Sequence, residues 1–146
     1  MSERQFKNPP EVFTTTCVVR FRHCDPAGIV FYPRYFEMIN DFVEIWFEQG
    51  LGLSFHTLHV LRNVGTPTAS VQCDFVAPSR WNDTLHQSLA IERLGGASAS
   101  VSIEFRDDAG ALRLNATMTL VTVDLQTLKA RQIPDDLRLQ MQRFVK

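Results

Sequence analysis

Little in this sequence points to covalent cross-links, clustered metals or an anchor. The three cysteines, Cys17, Cys24 and Cys73, form an odd, widely spaced set with no CxxC pair. That argues against a disulfide framework or a thiolate metal site and fits reduced thiols. Residues 1–10 are polar and hold two prolines, so they lack the apolar run of a secretory signal or membrane anchor, and a cytoplasmic protein is expected. Charge of one sign is not in excess either. With 15 Lys and Arg against 16 Asp and Glu, no field exists to draw in nucleic acid or an anionic membrane. Repeats, low-complexity tracts and interdomain linkers are also missing. The 146 residues, 45% hydrophobic and 10% aromatic, suit a single domain over 1–146 with a real core and no room for a second. Residues 1–10 and the extreme C-terminus are its expected loose ends.

What the sequence does hold is ordered by period. Residues 12–21, rich in Val, Thr and Phe, read as a first strand. Asp25-Pro26 and Gly28 then disfavour regular structure, and Pro33 stands where a helix can begin. From 33 to 49 the polar residues Arg34, Glu37, Asp41, Glu44 and Glu48 recur at three- and four-residue steps and define one narrow stripe. Nearly everything else there is apolar, so the spacing predicts a helix enclosed by other structure, ended by Gly50 and Gly52. From 68 to 125 the period falls to two: Ala69, Val71, Cys73 and Phe75; Leu85, Leu89 and Ile91; Val101, Ile103 and Phe105; Leu112, Leu114, Ala116, Met118 and Leu120. Turn signals at 78–83, Gly95-Gly96 and 107–110 separate them and imply an antiparallel meander. Residues 135–144, after Pro134, suggest a short terminal helix.

One strand, one broadly apolar helix and four more strands leave few architectures. The sheet's apolar face must cover the helix. The expected fold is therefore α+β: an antiparallel sheet of about five strands wrapped around a long buried central helix, the hotdog arrangement. Open sheet edges make an edge-to-edge dimer a reasonable expectation.

Chemistry concentrates in the loop from His23 to Pro33, which joins a carboxylate, Asp25, to the start of that helix. Unpaired amides at a helix start can bind a developing oxyanion, and Gly28 leaves room for close approach. A carboxylate beside them can attack a thioester carbonyl directly, or deprotonate a water that attacks. Asp-Pro is equally a common way to open a turn, so from spacing alone Asp25 also reads as a turn cap.

The run Asp25-Pro26-Ala27-Gly28-Ile29-Val30-Phe31-Tyr32-Pro33-Arg34-Tyr35 resembles the signature of the 4-hydroxybenzoyl-CoA thioesterase family. The likeness extends more weakly through 64–67, 75–78 and 132–134. It implies a thioester hydrolase acting on an acyl-CoA, with Asp25 as nucleophile or base and the Tyr32 backbone amide polarising the carbonyl. No metal or other cofactor is implied, because coenzyme A enters as part of the substrate. A homodimer or a dimer of dimers (homotetramer) is expected. Where that family can place an acidic residue for a substrate phenol, this chain has Asn40. Where basic residues are expected for coenzyme A phosphates, it has Gly95-Gly96-Ala97, which leaves Lys129 and Arg131 as candidates.

Gly28, Phe31, Asn40 and Thr66 are the candidate substrate contacts, and Trp46 is a further aromatic that suits an acyl pocket or a core. His23 and Cys24 point to opposite sides of an extended chain and are read as structural. His56 and His59 share a helical face but lack a third metal ligand, so they are read as ordinary loop or helix residues. The competing functions are a hydratase or dehydratase on the same fold, for which no suitable His follows Asp25, and a non-catalytic acyl-CoA-binding domain.

Overall fold

The computed structural model describes residues 9–146; of the expected loose start, residues 1–8 lie outside the described residues. Strand β1 (Phe13–Val18) leads through a 3-10 turn at Phe21–His23 into helix α1 (Tyr32–Ile45), which widens into a π-type turn at Trp46–Leu51. A second π-type turn, His56–Leu61, precedes β2 (Val64–Gly65) and β3 (Thr68–Phe75). Strands β4 (Thr84–Leu94), β5 (Ser98–Arg106), β6 (Leu112–Val121) and β7 (Val123–Asp124) follow, and α2 (Asp135–Gln142) ends the chain. Five strands form one sheet in the order β1-β4-β5-β6-β3, and β2 pairs with β7 apart from it. Every pairing between these strands is antiparallel.

Period-two patterning sets the inner face. Along β5 the residues Ala99, Val101, Ile103 and Phe105 are buried while their neighbours are half-exposed. Leu85, Leu89 and Ile91 of β4 and Leu114, Ala116, Met118 and Leu120 of β6 join them. Against this face α1 lays Tyr35, Met38, Ile39, Phe42 and Val43, and Trp46 and Phe47 continue the row. Each such fully buried side chain contributes about 1.5–3 kcal/mol by leaving water. The hotdog fold expected from periodicity is the fold observed.

Its details differ from the sequence expectations at four places. The first strand ends at Val18, because the chain turns at Phe21–His23 instead of running on to residue 21. The α-helix stops at Ile45, and Gly52, with a left-handed φ of 71°, caps the π-type turn that follows. The extreme C-terminus is pinned: Phe144 stacks edge-on against Trp46 at 5.8 Å, and the Lys146 N–H donates to the Ile91 carbonyl at 3.0 Å. Burial of α1 is one-sided within the chain, since Phe36, Glu37, Asn40, Asp41 and Glu44 all face out. On the edge strand β3, likewise, only Cys73 is partly covered.

Candidate active site

Asp25 opens a tight turn that its own atoms hold. Its Oδ1 accepts the Ala27 N–H at 2.9 Å, its carbonyl accepts the Gly28 N–H at 2.9 Å and its N–H donates to the Ile29 carbonyl at 3.0 Å. Gly28 closes the turn at φ 79°, where any side chain is strained. The turn-cap reading of Asp25 is thus realised, but through one oxygen. The second carboxylate oxygen has no hydrogen-bond partner among the described residues.

Two clamps fix this loop. On one side His23 is buried, its Nδ1 accepts the Arg20 N–H at 2.8 Å, and its carbonyl accepts the Phe31 N–H at 2.9 Å. Burial holds the His23 imidazole below its usual pKa, and Arg22 adds to the effect. On the other side the Val30 N–H donates to the Ser79 carbonyl at 2.9 Å, and Ile29 bridges to Arg80. Arg113 in turn holds the 78–83 turn, reaching the Pro78 carbonyl at 2.6 Å and the Asp83 carboxylate at 3.2 Å.

The clamped loop delivers the start of α1. There the Phe31 and Arg34 amides are spent on the carbonyls of His23 and Phe31, and Pro33 has no N–H. Between them the Tyr32 amide, at the first helical residue, finds no backbone acceptor among the described residues. It is the unspent donor at the positive end of the helix.

A cavity of about 440 Å3 opens on this loop, lined by Phe21, Cys24, Asp25, Pro26, Gly28 and Trp81. Phe21 and Trp81 are 75% and 56% exposed and meet edge to face at 5.8 Å. Sequence reasoning passed over both. Their signal, aromatic rings on turn segments, becomes distinctive only once their exposure is known.

A second cavity, about 350 Å3, lies further along α1, between it, the second π-type turn and the sheet, and Asn40, Val43, Phe55, His59, Thr66 and Met118 are among its walls. The candidate residues therefore divide. Asp25 and Gly28 share the first cavity, while Asn40 and Thr66 share the second. The rings of Phe31 and Tyr32 line neither; they are exposed, touch each other at 5.5 Å, and Tyr32 reaches Phe75 at 6.0 Å. Trp46 is fully buried core and lines neither cavity. Lys129 adjoins Leu128, a wall residue of the second cavity, and Arg131 spends its Nε on the Gln132 carbonyl at 3.0 Å. Both basic residues are thus remote in sequence from the Asp25 loop and line neither cavity. His56 is exposed, but His59 faces the second cavity. Among the described residues no group of three His, Cys, Asp or Glu side chains is placed to hold a metal, and no helix is long and apolar enough to cross a membrane.

Among curated proteins, none matches the chain. Among solved structures, a protein of the thioesterase superfamily from Jannaschia superposes with a TM-score of 0.86 at 23% identity, covering 96% of this chain and 97% of that one. A 1,4-dihydroxy-2-naphthoyl-CoA thioesterase from Synechocystis gives 0.82 at 21% identity, over 90% and 96% of the two chains. A Staphylococcus aureus protein solved in complex with CoA gives 0.85 at 15% identity, over 94% and 87%. The family model that matches residues 19–141 starts after β1 and ends inside α2, so it takes in four of the sheet's five strands, the helix and both cavities; the chain belongs to the thioesterase-like superfamily.

Proposed function

We propose that the chain hydrolyses the thioester of a short-chain or aromatic acyl-CoA to the free acid and coenzyme A. One observation carries the reading. Asp25, a wall residue of the first cavity, keeps one carboxylate oxygen without a hydrogen-bond partner among the described residues, on the same clamped loop that presents the unspent Tyr32 amide. In the nucleophilic route that oxygen attacks the thioester carbonyl, and the Tyr32 N–H donates to the oxyanion that forms. Collapse expels the CoA thiolate and leaves a mixed anhydride, which water opens to the acid and the original carboxylate. In the general-base route Asp25 takes the proton from a water that attacks instead. A thiolate leaves readily, so neither route demands a third catalytic group. Superfamily membership supports the reaction, as do neighbours that are a dihydroxynaphthoyl-CoA thioesterase and a CoA complex. The long run around Asp25 favours the 4-hydroxybenzoyl-CoA thioesterase type, though with Asn40 in place of an acid.

The division of residues between two cavities bears on assembly. Tyr32 and Asn40 lie eight residues apart on the helix, about 12 Å along its axis, too far for one small acyl thioester to meet both. Yet Tyr32, Phe36 and Asn40 form one exposed stripe at four-residue steps. A twofold axis near Phe36 would set the helices of two copies antiparallel. The Tyr32 end of one would then face the Asn40 cavity of the other, and the exposed Val71 and Phe75 of edge strand β3 would be covered as well. In this proposal Asp25, Tyr32 and Gly28 act from one protomer, Phe31 borders the thioester, and Asn40 and Thr66 hold the acyl group from its partner. Lys129, next in sequence to a wall residue of that second cavity, and Arg131 are the proposed contacts for coenzyme A phosphates.

The test is a panel of acyl-CoAs followed by thiol release, run beside enoyl-CoAs followed by their absorbance. Thiol release without enoyl loss is expected. Enoyl loss alone would move the protein to the hydratases, and binding of the panel with no turnover would make it a carrier.

A further inference from the structure

We infer that Arg113 is a positioning residue for the Asp25 site: its guanidinium ties the end of the β5–β6 hairpin to the 78–83 turn, and that turn sets where the Asp25 carboxylate and the Tyr32 amide stand. The inference rests on the proposal that those two groups carry the reaction. Arg113 itself lines neither the first cavity nor the second.

The guanidinium spends its nitrogens on two segments. Nε and Nη2 donate to Asp107 Oδ2 at 3.3 and 3.2 Å, where the chain has just left β5. Nη1 is shared by the Pro78 carbonyl at 2.6 Å, the Ser79 hydroxyl at 3.2 Å and the Asp83 carboxylate at 3.2 Å. A planar fork of donors can span two carboxylates and a carbonyl in this way, and a lysine cannot. The Arg113 side chain is 18% exposed, against 34–45% for the other arginines in ion pairs, so water screens its contacts less.

The turn needs this tie on the side that meets the catalytic loop. Its far half is held without the guanidinium, since the Val19 N–H donates to the Asp83 carbonyl at 2.8 Å and the Asn82 N–H to the Val19 carbonyl at 2.9 Å. Before the turn, the Val76 and Ala77 N–H groups reach the Arg113 carbonyl, which any residue at 113 retains. Between them, Pro78 has no N–H, and its carbonyl takes no main-chain donor among the described residues. Pro78-Ser79 is therefore the stretch that depends on the side chain of Arg113. Ser79, fully buried, passes the constraint on, because its carbonyl accepts the Val30 N–H at 2.9 Å. Val30 follows Ile29, whose carbonyl accepts the Asp25 N–H, and stands two residues before Tyr32. A shift at Ser79 moves the Asp25 carboxylate and the Tyr32 amide relative to the substrate, and a misplacement of about 1 Å can cost about a hundredfold in rate.

Arg113→Met keeps an apolar stem and removes every donor. Amide hydrogen exchange followed by NMR should quicken about tenfold at Val30 while Ile103, in the middle of β5, stays as in wild type. Thiol release from an acyl-CoA that wild type cleaves should show kcat down by about 10- to 100-fold with KM unchanged. Arg113→Lys, which still reaches the Pro78 carbonyl, should recover part of that rate. In an Asp25→Asn background the same Arg113→Met change should cost about threefold at most, because the carboxylate it positions is gone. Should Arg113→Met fail to fold, Asp107→Asn is read in the same way: it keeps the Oδ1 acceptor for the Ala109 and Ala111 N–H groups, loses the charge opposite the guanidinium, and should give the same pattern at smaller size. Unchanged exchange at Val30, a kcat within about twofold of wild type, or an equal loss in the Asp25→Asn background would overturn the inference. If exchange at Val30 quickens but wild type cleaves no thioester, the tie stands and the hydrolase proposal is what fails.

Discussion

Replacing Asp25 separates its two jobs. Asparagine keeps an oxygen where Oδ1 accepts the Ala27 N–H at 2.9 Å but can neither attack a thioester nor take a proton from water. Alanine loses the turn contact as well. An exposed bond of this kind contributes about 0.5–1 kcal/mol, so Asp25→Ala should melt roughly 2–4 °C below wild type, whereas Asp25→Asn should melt close to it. Both should lose hydrolysis alike, by about 10²- to 10⁴-fold in kcat, which corresponds to about 2.7–5.5 kcal/mol on the barrier. Thiol release at saturating acyl-CoA gives kcat, and calorimetry on Asp25→Asn should return wild-type affinity. The reasoning is refuted if Asp25→Asn turns over within about threefold of wild type, for then the carboxylate only caps a turn.

Four further outcomes follow from named contacts. Tyr32→Pro removes the unspent amide at a position that accepts proline, since Phe31 before it is extended at φ −71° and ψ 124°; kcat should fall about 10²- to 10³-fold while Tyr32→Leu stays near wild type, and an active proline variant would exclude the amide as oxyanion donor. Phe36→Glu places like charges across the proposed twofold and should give monomers by sedimentation with hydrolysis lost; an active wild-type monomer would sink the shared-site proposal. His23 has a folded pKa below its ordinary 6.5 because of burial and then Arg22, so the unfolded chain binds the extra proton and stability must fall as pH drops through 6.5 toward the folded value. Melting curves across that window should show the decline in wild type and a flatter profile in His23→Asn. Finally, burial, with Asp41 and Asp74 adding to it, pushes the Cys17 and Cys73 thiols up to about 11, so both should react with a disulfide reagent at neutral pH far more slowly than in denaturant.

Much of the fold was legible because its signals are local. Alternation along Val101, Ile103 and Phe105 survives as the buried face of β5, and the change of period between residues 33–49 and 68–125 separated helix from sheet. What failed were statements about surroundings. Phe36 and Phe75 belong to apolar runs no different in composition from Phe42 and Phe105, yet the first two are 36% and 46% exposed and the latter two fully buried. Period says which residues share a face. It does not say whether that face is covered by the same chain, and the exposed stripe of α1 together with edge strand β3 is where this chain leaves its own apolar surface uncovered.

The site divides along the same line. Asp25, Gly28 and Tyr32 sit within eight consecutive positions, so the turn, the glycine and the helix start that give them meaning could all be read together. His59 could not be read that way. Helical spacing paired it with His56 and posed a question about metal, whereas the π-type turn sends His56 to solvent and turns His59 toward Asn40 and Thr66, residues far from it in sequence. Its ring is tied to the main chain by a single carbonyl, that of Phe55, 2.9 Å from Nδ1. In the proposed function the reaction draws on a contiguous motif, while the acyl-binding residues Asn40 and Thr66 come from α1 and from the residue that follows β2. If the proposed shared site holds, a change at Asn40 should alter which member of the acyl-CoA panel is cleaved without touching the Asp25 loop.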